Sequence, residues 1–298
     1  MDPVSCPVCH SQVTNLSYSA KIKKIVNANN GMKASGGERG GRDIHKCFEC
    51  EVYFCHPLPT QYKLLLEYDS SDDQAFISQN EFRYNTFKFH FRRILSELGL
   101  NIKDLYITDI GAASGIFLKV VNDLGIEGCG YEANKWLVQY GRTEYNVNIN
   151  QGSIENFTPS VDKLDVVSLW DVLEHLSDPY AELKSLSSRL KSKSLIIISL
   201  PSTDSKNFKL LKWQWPMHLN VHLYYFNKKS LDRLFSSCGF RMIYNAKYGQ
   251  RLSLGYLIYR AIMLLFPNVS VNFYKSSILN RIPIAYSVGQ RIYLFEKL

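Results

Sequence analysis

The chain has 298 residues, 46% hydrophobic and 21% charged, which excludes a disordered or fibrous protein and allows one large core, or a core plus a small module. Its net charge of +8 is uneven: residues 200–298 hold 14 Lys and Arg against 3 Asp and Glu, and the remainder 21 against 24. A uniformly basic surface is therefore excluded, and the C-terminal third either meets an anionic substrate or surface (phosphate, nucleic acid, lipid headgroup) or is a solvated basic face.

The first residues, MDPVSCPVCH, show no basic segment followed by an apolar run, so no signal peptide is expected. The longest apolar stretch, Leu254–Phe266, is interrupted by Arg260 and is too short to span a bilayer. A cytoplasmic location follows as an expectation, and with it seven cysteines that do not form a disulfide framework. Four of them form two C-x-x-C pairs, Cys6/Cys9 and Cys47/Cys50. Each pair makes a tight turn whose sulfurs can converge on one Zn²⁺, so a structural zinc ribbon is expected over residues 1–60. His10, His45 and Cys55 are near enough in sequence to be substitute ligands. The Gly-rich stretch ANNGMKASGGERGGRD between the pairs reads as a mobile excursion.

Pro57 and Pro59 open a linker, and apolar residues from Phe82 to Leu98 recur at helical spacing, predicting a helical cap at the end of a 61–100 segment. His90 reads as a helix-surface residue. From residue 105 the chain alternates. Strands are predicted at Leu105–Ile110, Gly128–Glu132, Val147–Gln151, Leu164–Leu169 and Leu195–Leu200, and helices at 115–124, 134–145 and 179–190. That pattern implies a mostly parallel sheet covered on both faces, with ligands beyond the carboxyl ends of its strands.

The first of these strands ends in Asp109-Ile-Gly111-Ala-Ala113-Ser-Gly115, and Glu132 ends the second, 17 residues after Gly115. The fourth strand leads into WDVLEHLSDP. This succession, over roughly residues 105–245, resembles class I S-adenosylmethionine-dependent methyltransferases. With the C-x-x-C pairs and CHPLPTQYKLLLEY in front, it resembles the bacterial group in which a zinc ribbon precedes the methyltransferase domain, often associated with sugar or surface-polysaccharide modification.

The resemblance implies a Rossmann-like, seven-stranded α/β sheet, mostly parallel with one antiparallel edge strand, over residues 101–298. It implies S-adenosylmethionine as cofactor. Gly111 and Gly115 would let the backbone pass close to the ligand, Asp109 would order the turn and meet the amino group, and Glu132 would accept the ribose hydroxyls. Ser153 and Ile154 would meet the adenine, and Trp170 and Asp171 the methionine side. Ala113 stands where the family usually has Gly, which a methyl tolerates only at negative φ with room beside it.

For the chemistry, Glu174 and His175 lie just past the fourth strand. His175 is placed to act as general base, unless the pair only caps and packs. LLKWQWPMHLNVHLYYF, at 210–226, overhangs the same edge, and its aromatic residues suit stacking on sugar or base rings. His222 is expected to face substrate. His218 and His222 are four apart, as metal ligands on a helix can be, but Pro216 and the lack of a paired acid count against that. NKKSLDRLFSSCGF is a helix capped by Asn227, and FRMIYNAKY and QRIYLFEKL are the edge strand pair. Between them, 249–288 reads as an inserted cap on the pocket, a packing or dimer element, or a membrane-surface stripe with Arg251, Arg260, Lys275 and Arg281.

The expected activity is methyl transfer to a sugar hydroxyl, nucleotide-linked or in a surface glycan, with an anionic small-molecule acceptor. An RNA methyltransferase is the alternative, weakened by a ribbon holding only 7 Lys and Arg against 5 Asp and Glu. A non-catalytic cofactor-binding scaffold is the third reading.

Overall fold

The computed structural model describes residues 4–19, 42–60, 74–265 and 278–298. Most of the Gly-rich excursion lies outside the described residues, as do residues 61–73 and Lys275.

Three short strands open the chain: β1 (Thr14–Tyr18), β2 (Ile44–Cys47) and β3 (Tyr53–Cys55). Helix α1 (Asn80–Glu97) follows. The alternation then runs β4 (Leu105–Ile110), α2 (Ile116–Asp123), β5 (Glu127–Glu132), α3 (Lys135–Tyr145), β6 (Ile149–Gln151), β7 (Leu164–Trp170), α4 (Pro179–Arg189), β8 (Leu195–Pro201) and α5 (Lys206–Leu211). The last elements are β9 (Tyr224–Tyr225), α6 (Lys228–Ser237), β10 (Phe240–Lys247), β11 (Gln250–Ser253), α7 (Leu254–Leu265), β12 (Pro283–Tyr286) and β13 (Gln290–Lys297). Local chemistry sets the helix starts. Asn134 accepts from the Leu137 N–H, Asp178 from the Ala181 N–H ahead of Pro179, and Asn227 and Ser230 form a capping box.

The main sheet has seven strands in the order β10-β13-β8-β7-β4-β5-β6. Its pairings are parallel except those of β13, which runs against β8 and β10 and makes the antiparallel pair at that edge. Strand β8 is buried at every position, the pattern of a strand covered on both faces. Val167, Leu169, Ile196 and Ile198 face α4 and α6, whereas Ile107, Val166 and Ile197 face Phe87, Phe91 and Ile94 of α1 and Phe117 and Val121 of α2. Each such fully buried side chain contributes about 1.5–3 kcal/mol. His90, expected on the helix surface, is buried in that layer, and its Nε2 lies 2.9 Å from the Gly249 carbonyl.

The ribbon shares this core. Strand β9, from the C-terminal half, pairs with β3 and extends the N-terminal strands to a sheet of order β1-β2-β3-β9. Cys6, Val8, Val52 and Phe54 pack in one cluster with Leu173, Leu223 and Tyr224. Strands β11 and β12 pair with each other. They are held to α1 by the Arg251 N–H donating to Thr86 Oγ1 and the Ser253 N–H to Gln79 Oε1, both at 3.0 Å.

Candidate active site

Beyond the carboxyl ends of β4, β5 and β7 lies a cavity of about 350 Å³. That volume is within the range of small-molecule sites, and the place is where open α/β sheets bind ligands. Asp109, Gly111, Ala113, Glu132, Ser153, Ile154, Trp170, Asp171, Glu174, His175 and His222 all line it.

The turn after β4 is fixed by its own backbone. The N–H groups of Gly111 and Ala112 both donate to the Tyr131 carbonyl, at 2.8 and 3.1 Å. Gly111 has φ +68°, and a Cβ there would sit 2.6 Å from Val172 Cγ2. Gly115 departs from expectation. It does not line the cavity; it begins α2 at φ +73°, and a Cβ would strike Val147 at 2.7 Å. Its bareness serves packing rather than ligand approach. Ala113 departs too: its φ is +48°, not negative. The strain is opposed by its N–H, which donates to Glu132 Oε2 at 2.7 Å. The other carboxylate oxygen of Glu132 accepts from the Asn134 N–H at 2.8 Å.

Two further acids sit below the turn. Asp109 is buried and accepts from the Ser168 hydroxyl at 2.6 Å. Burial pushes its carboxyl up to about 7, against the lowering effect of that hydrogen bond. Asp171, at φ +55°, accepts from Ser199 Oγ at 3.0 Å and from Gln290 Nε2 at 2.9 Å; burial pushes it up to about 6. Arg83 of α1 also lines the cavity and stabilises both carboxylates electrostatically. Its guanidinium lies 3.7 Å from the Phe76 ring centre. Trp170 is buried among Phe87, Phe117 and Tyr248, and its Nε1–H has no partner among the described residues. The loop bearing Ser153 and Ile154 is held by Arg189, which donates to the carbonyls of Ile154, Glu155 and Phe157.

At the other end stand Glu174, His175 and His222. One ligand-type atom from each lies within 4.8 Å of the other two, and the imidazole centres are 5.0 Å apart. His175 Nδ1 is 2.8 Å from the Val221 carbonyl, and His222 Nδ1 is 2.8 Å from the Met217 carbonyl. A carbonyl only accepts, so each Nδ1 carries the proton and each Nε2 keeps its lone pair. Burial lowers both imidazoles from the ordinary histidine value, His222 further because His175 is its neighbour. Glu174 is 1% exposed, and neither carboxylate oxygen has a hydrogen-bond partner among the described residues. Burial, then the nearby Asp171, raises its pKa well above the usual carboxylate range.

The segment after α5 behaves differently from its reading as an aromatic platform. Trp215, Tyr224 and Tyr225 are buried in the protein, and Trp213 packs on Tyr18 and Tyr53 of the ribbon. Only Met217, Leu219, Val221 and His222 of this segment reach the cavity. His218 Nδ1 lies 2.9 Å from the Trp213 carbonyl, off the cavity wall, so His222 is grouped not with His218 but with an acid and an imidazole some 48 residues earlier. No spacing rule within the segment could reveal that pairing. Arg83 and Arg260 were also missed as cavity residues, because α1 and α7 reach the site only through tertiary packing.

In the ribbon, Cys6 Sγ lies 3.7 Å from Cys50 Sγ and Cys9 Sγ 3.6 Å from Cys47 Sγ, with all four sulfurs within 4.8 Å of one another. This closed, four-thiol set fits a structural Zn²⁺. The substitutes are excluded by position: Cys55 Sγ is turned to the His222 carbonyl, His10 packs on Tyr180, and His45 on Phe54 and His56. No helix among the described residues is long and apolar enough to cross a membrane.

The profile of the family described as "Methyltransferase domain" matches residues 82–245, more than half of the chain. Among curated proteins, a ubiquinone biosynthesis O-methyltransferase of Glaesserella parasuis is 29% identical over 115 residues, 35% of this chain and 49% of that protein. One of Coxiella burnetii is 22% identical over 118 residues, 38% of this chain and 49% of that protein. The chain thus spans about half the length of these relatives. Among solved structures, a SAM-dependent methyltransferase from Archaeoglobus fulgidus aligns with TM-score 0.50 at 20% identity, covering 76% of this chain and 100% of that one. Magnesium protoporphyrin IX methyltransferase from Synechocystis PCC 6803 with bound SAH aligns with TM-score 0.50 at 14% identity, covering 80% and 93%. These two likenesses are of fold.

Proposed function

The chain belongs to the methyltransferase-domain family, with the class I S-adenosylmethionine-dependent fold, and from that premise we propose that it methylates a hydroxyl of a small acceptor bearing an anionic group. The observation that carries this reading is the placement of two functional ends on one cavity: Glu132, held by the N–H groups of Ala113 in the turn and Asn134 at the start of α3, and the Glu174–His175–His222 group.

When bound, S-adenosylmethionine supplies a methyl group activated by its sulfonium. Glu132 receives the ribose hydroxyls, Gly111 and Ala113 offer a close backbone, and Asp109 faces the amino group. Ser153 and Ile154 take the adenine; Trp170 and Asp171 take the methionine side. The acceptor oxygen is held at the far end, where a neutral imidazole Nε2 of His175 or His222 takes up its proton. Arg260 holds the anionic group, in keeping with the basic C-terminal third, and α7, which carries it, acts as a cap.

Two acceptor classes are consistent with a hydroxyl nucleophile. A nucleotide-linked or glycan sugar follows from the ribbon-bearing sequence type. An apolar hydroxy acid is favoured by the wall of Met217, Leu219 and Val221 and by the O-methyltransferase relatives. Labelled-methyl transfer to nucleotide sugars, hydroxyaryl acids and RNA, run beside calorimetry with S-adenosylmethionine and its demethylated product, tests the reading. Transfer to a hydroxyl of the first two is expected. No heat with either nucleoside, or transfer confined to RNA, overturns it.

A further inference from the structure

We propose that Glu174, His175 and His222 are the protein ligands of a divalent transition-metal ion at the acceptor end of the cavity. Three independent observations lead there. The donor atoms converge: one from each residue lies within 4.8 Å of the others, so small side-chain rotations reach the ~3–3.5 Å separation of donors around a first-row ion. Both imidazoles are set as ligands, since the Nδ1–H of each is anchored on a backbone carbonyl at 2.8 Å, leaving Nε2 to bind. This outer-shell arrangement fixes the tautomer of metal-ligating histidines. Lastly, Glu174 is 1% exposed with both oxygens unpartnered. A buried carboxylate in that condition costs several kcal/mol, and a proton alone leaves its new O–H without an acceptor. A cation satisfies it.

The nearby Asp171 does not compete as a ligand, because Ser199 and Gln290 occupy its carboxylate, but its charge adds to the negative field. Two imidazole nitrogens and one carboxylate suit zinc, iron(II), manganese or cobalt and leave coordination positions open toward the cavity. The thiol cluster of the ribbon is a separate, closed set. The role of the ion rests on the methyl-transfer reading; its binding does not. With the ion bound, both Nε2 lone pairs are engaged as ligands, so the ion takes over from the imidazoles as the activating group, and an acceptor hydroxyl at an open position loses its proton to solvent water. The oxygen then forms the new O–C bond as the S–C bond of the cofactor breaks, and a neutral thioether leaves.

The test is native mass spectrometry of the full chain equilibrated with Zn²⁺, with Mn²⁺ binding followed by electron paramagnetic resonance. Two zinc ions per chain are expected, one in the ribbon, or one zinc plus one manganese when manganese is added to a chain that holds zinc in the ribbon alone. Glu174→Gln and His222→Gln should each lose the second ion while remaining folded and keeping the ribbon zinc; should either variant unfold, His175→Gln gives the same readout. A wild-type chain that stops at one ion, or variants that keep both, overturns the proposal. Full methyl transfer by a chain stripped of the second ion overturns the assigned role while leaving methyl transfer intact. Binding of the second ion without binding of S-adenosylmethionine overturns only the methyl-transfer reading.

Discussion

The carboxylate of Glu132 accepts the backbone N–H of Ala113 at 2.7 Å, which ties the acid ending β5 to the turn that ends β4. The same carboxylate takes the Asn134 N–H, so one side chain orders the turn and the start of α3. Glu132→Ala removes two charge-assisted bonds, each worth about 1.5–3 kcal/mol. Affinity for S-adenosylmethionine should fall by roughly 100-fold or more, and the unfolding midpoint should drop. Calorimetry showing wild-type affinity would separate Glu132 from the cofactor.

Ala113 occupies the left-handed region at φ +48°, where a Cβ costs about 1 kcal/mol. Ala113→Gly relieves that cost and gives back part of it through the freer unfolded chain. A net gain of about 0.5 kcal/mol, read as a rise of roughly 1–2 °C in the midpoint, is expected with cofactor affinity kept or improved. Destabilisation would show that the methyl group is itself packed.

Asp109 gives the free protein a pH dependence of defined sign. Its folded pKa is raised from 3.8 to about 7 by burial. The folded state therefore holds a proton that the unfolded state releases, and stability is lost as pH rises from about 4 through 7. Asp109→Asn keeps an acceptor for Ser168 and removes the titration. It should be more stable than wild type at pH 8 by about 2–4 kcal/mol, converge with it near pH 4, and bind cofactor more weakly. Parallel unfolding curves at pH 5 and 8 for the two proteins would refute this.

The parallel strands were legible because each is a short apolar, β-branched run between turn signals: Leu105–Ile110 is found as read, and the others shift by one or two residues. The cavity residues on the strand ends were legible for the same reason, since a βα turn fixes its own geometry. What was not legible depends on distant packing. Gly115 looked like a ligand-facing glycine, but Val147, 32 residues on, decides its role. The aromatic residues after Lys212 looked like a platform, but a ribbon more than 150 residues earlier covers them.

That covering ties the ribbon to the site. Strand β9 pairs with β3, and Cys55 Sγ donates to the His222 carbonyl. The Leu223 N–H, next along, donates to the Glu174 carbonyl at 2.8 Å. Cys47→Ser should abolish zinc in the ribbon and cost about 4 kcal/mol or more of stability, as loss of a structural metal does. It should also lower methyl transfer at least tenfold. Elemental analysis and unfolding curves check the first effect. Wild-type turnover in a zinc-free ribbon would show that the two sites are independent.

His175 and His222 are both lowered from the ordinary histidine value, chiefly by burial. The lone pair on Nε2 is present only in the neutral form, so the lowered pKa keeps that form dominant through neutral pH. The rate should be level from pH 8 down past 6.5 and fall only in more acidic solution. Stability carries the same sign: the unfolded imidazoles take up protons at about 6.5 while the folded ones resist, so stability is complete above that value and declines as pH drops below it. His175→Ala and His222→Ala should each reduce turnover by roughly 10²–10⁴-fold, with cofactor affinity nearly unchanged, because the residues we propose for the ribose and adenine, Glu132, Ser153 and Ile154, are not part of this group. A rate already halved at pH 7, or full turnover in both variants, would move the proton transfer to other groups.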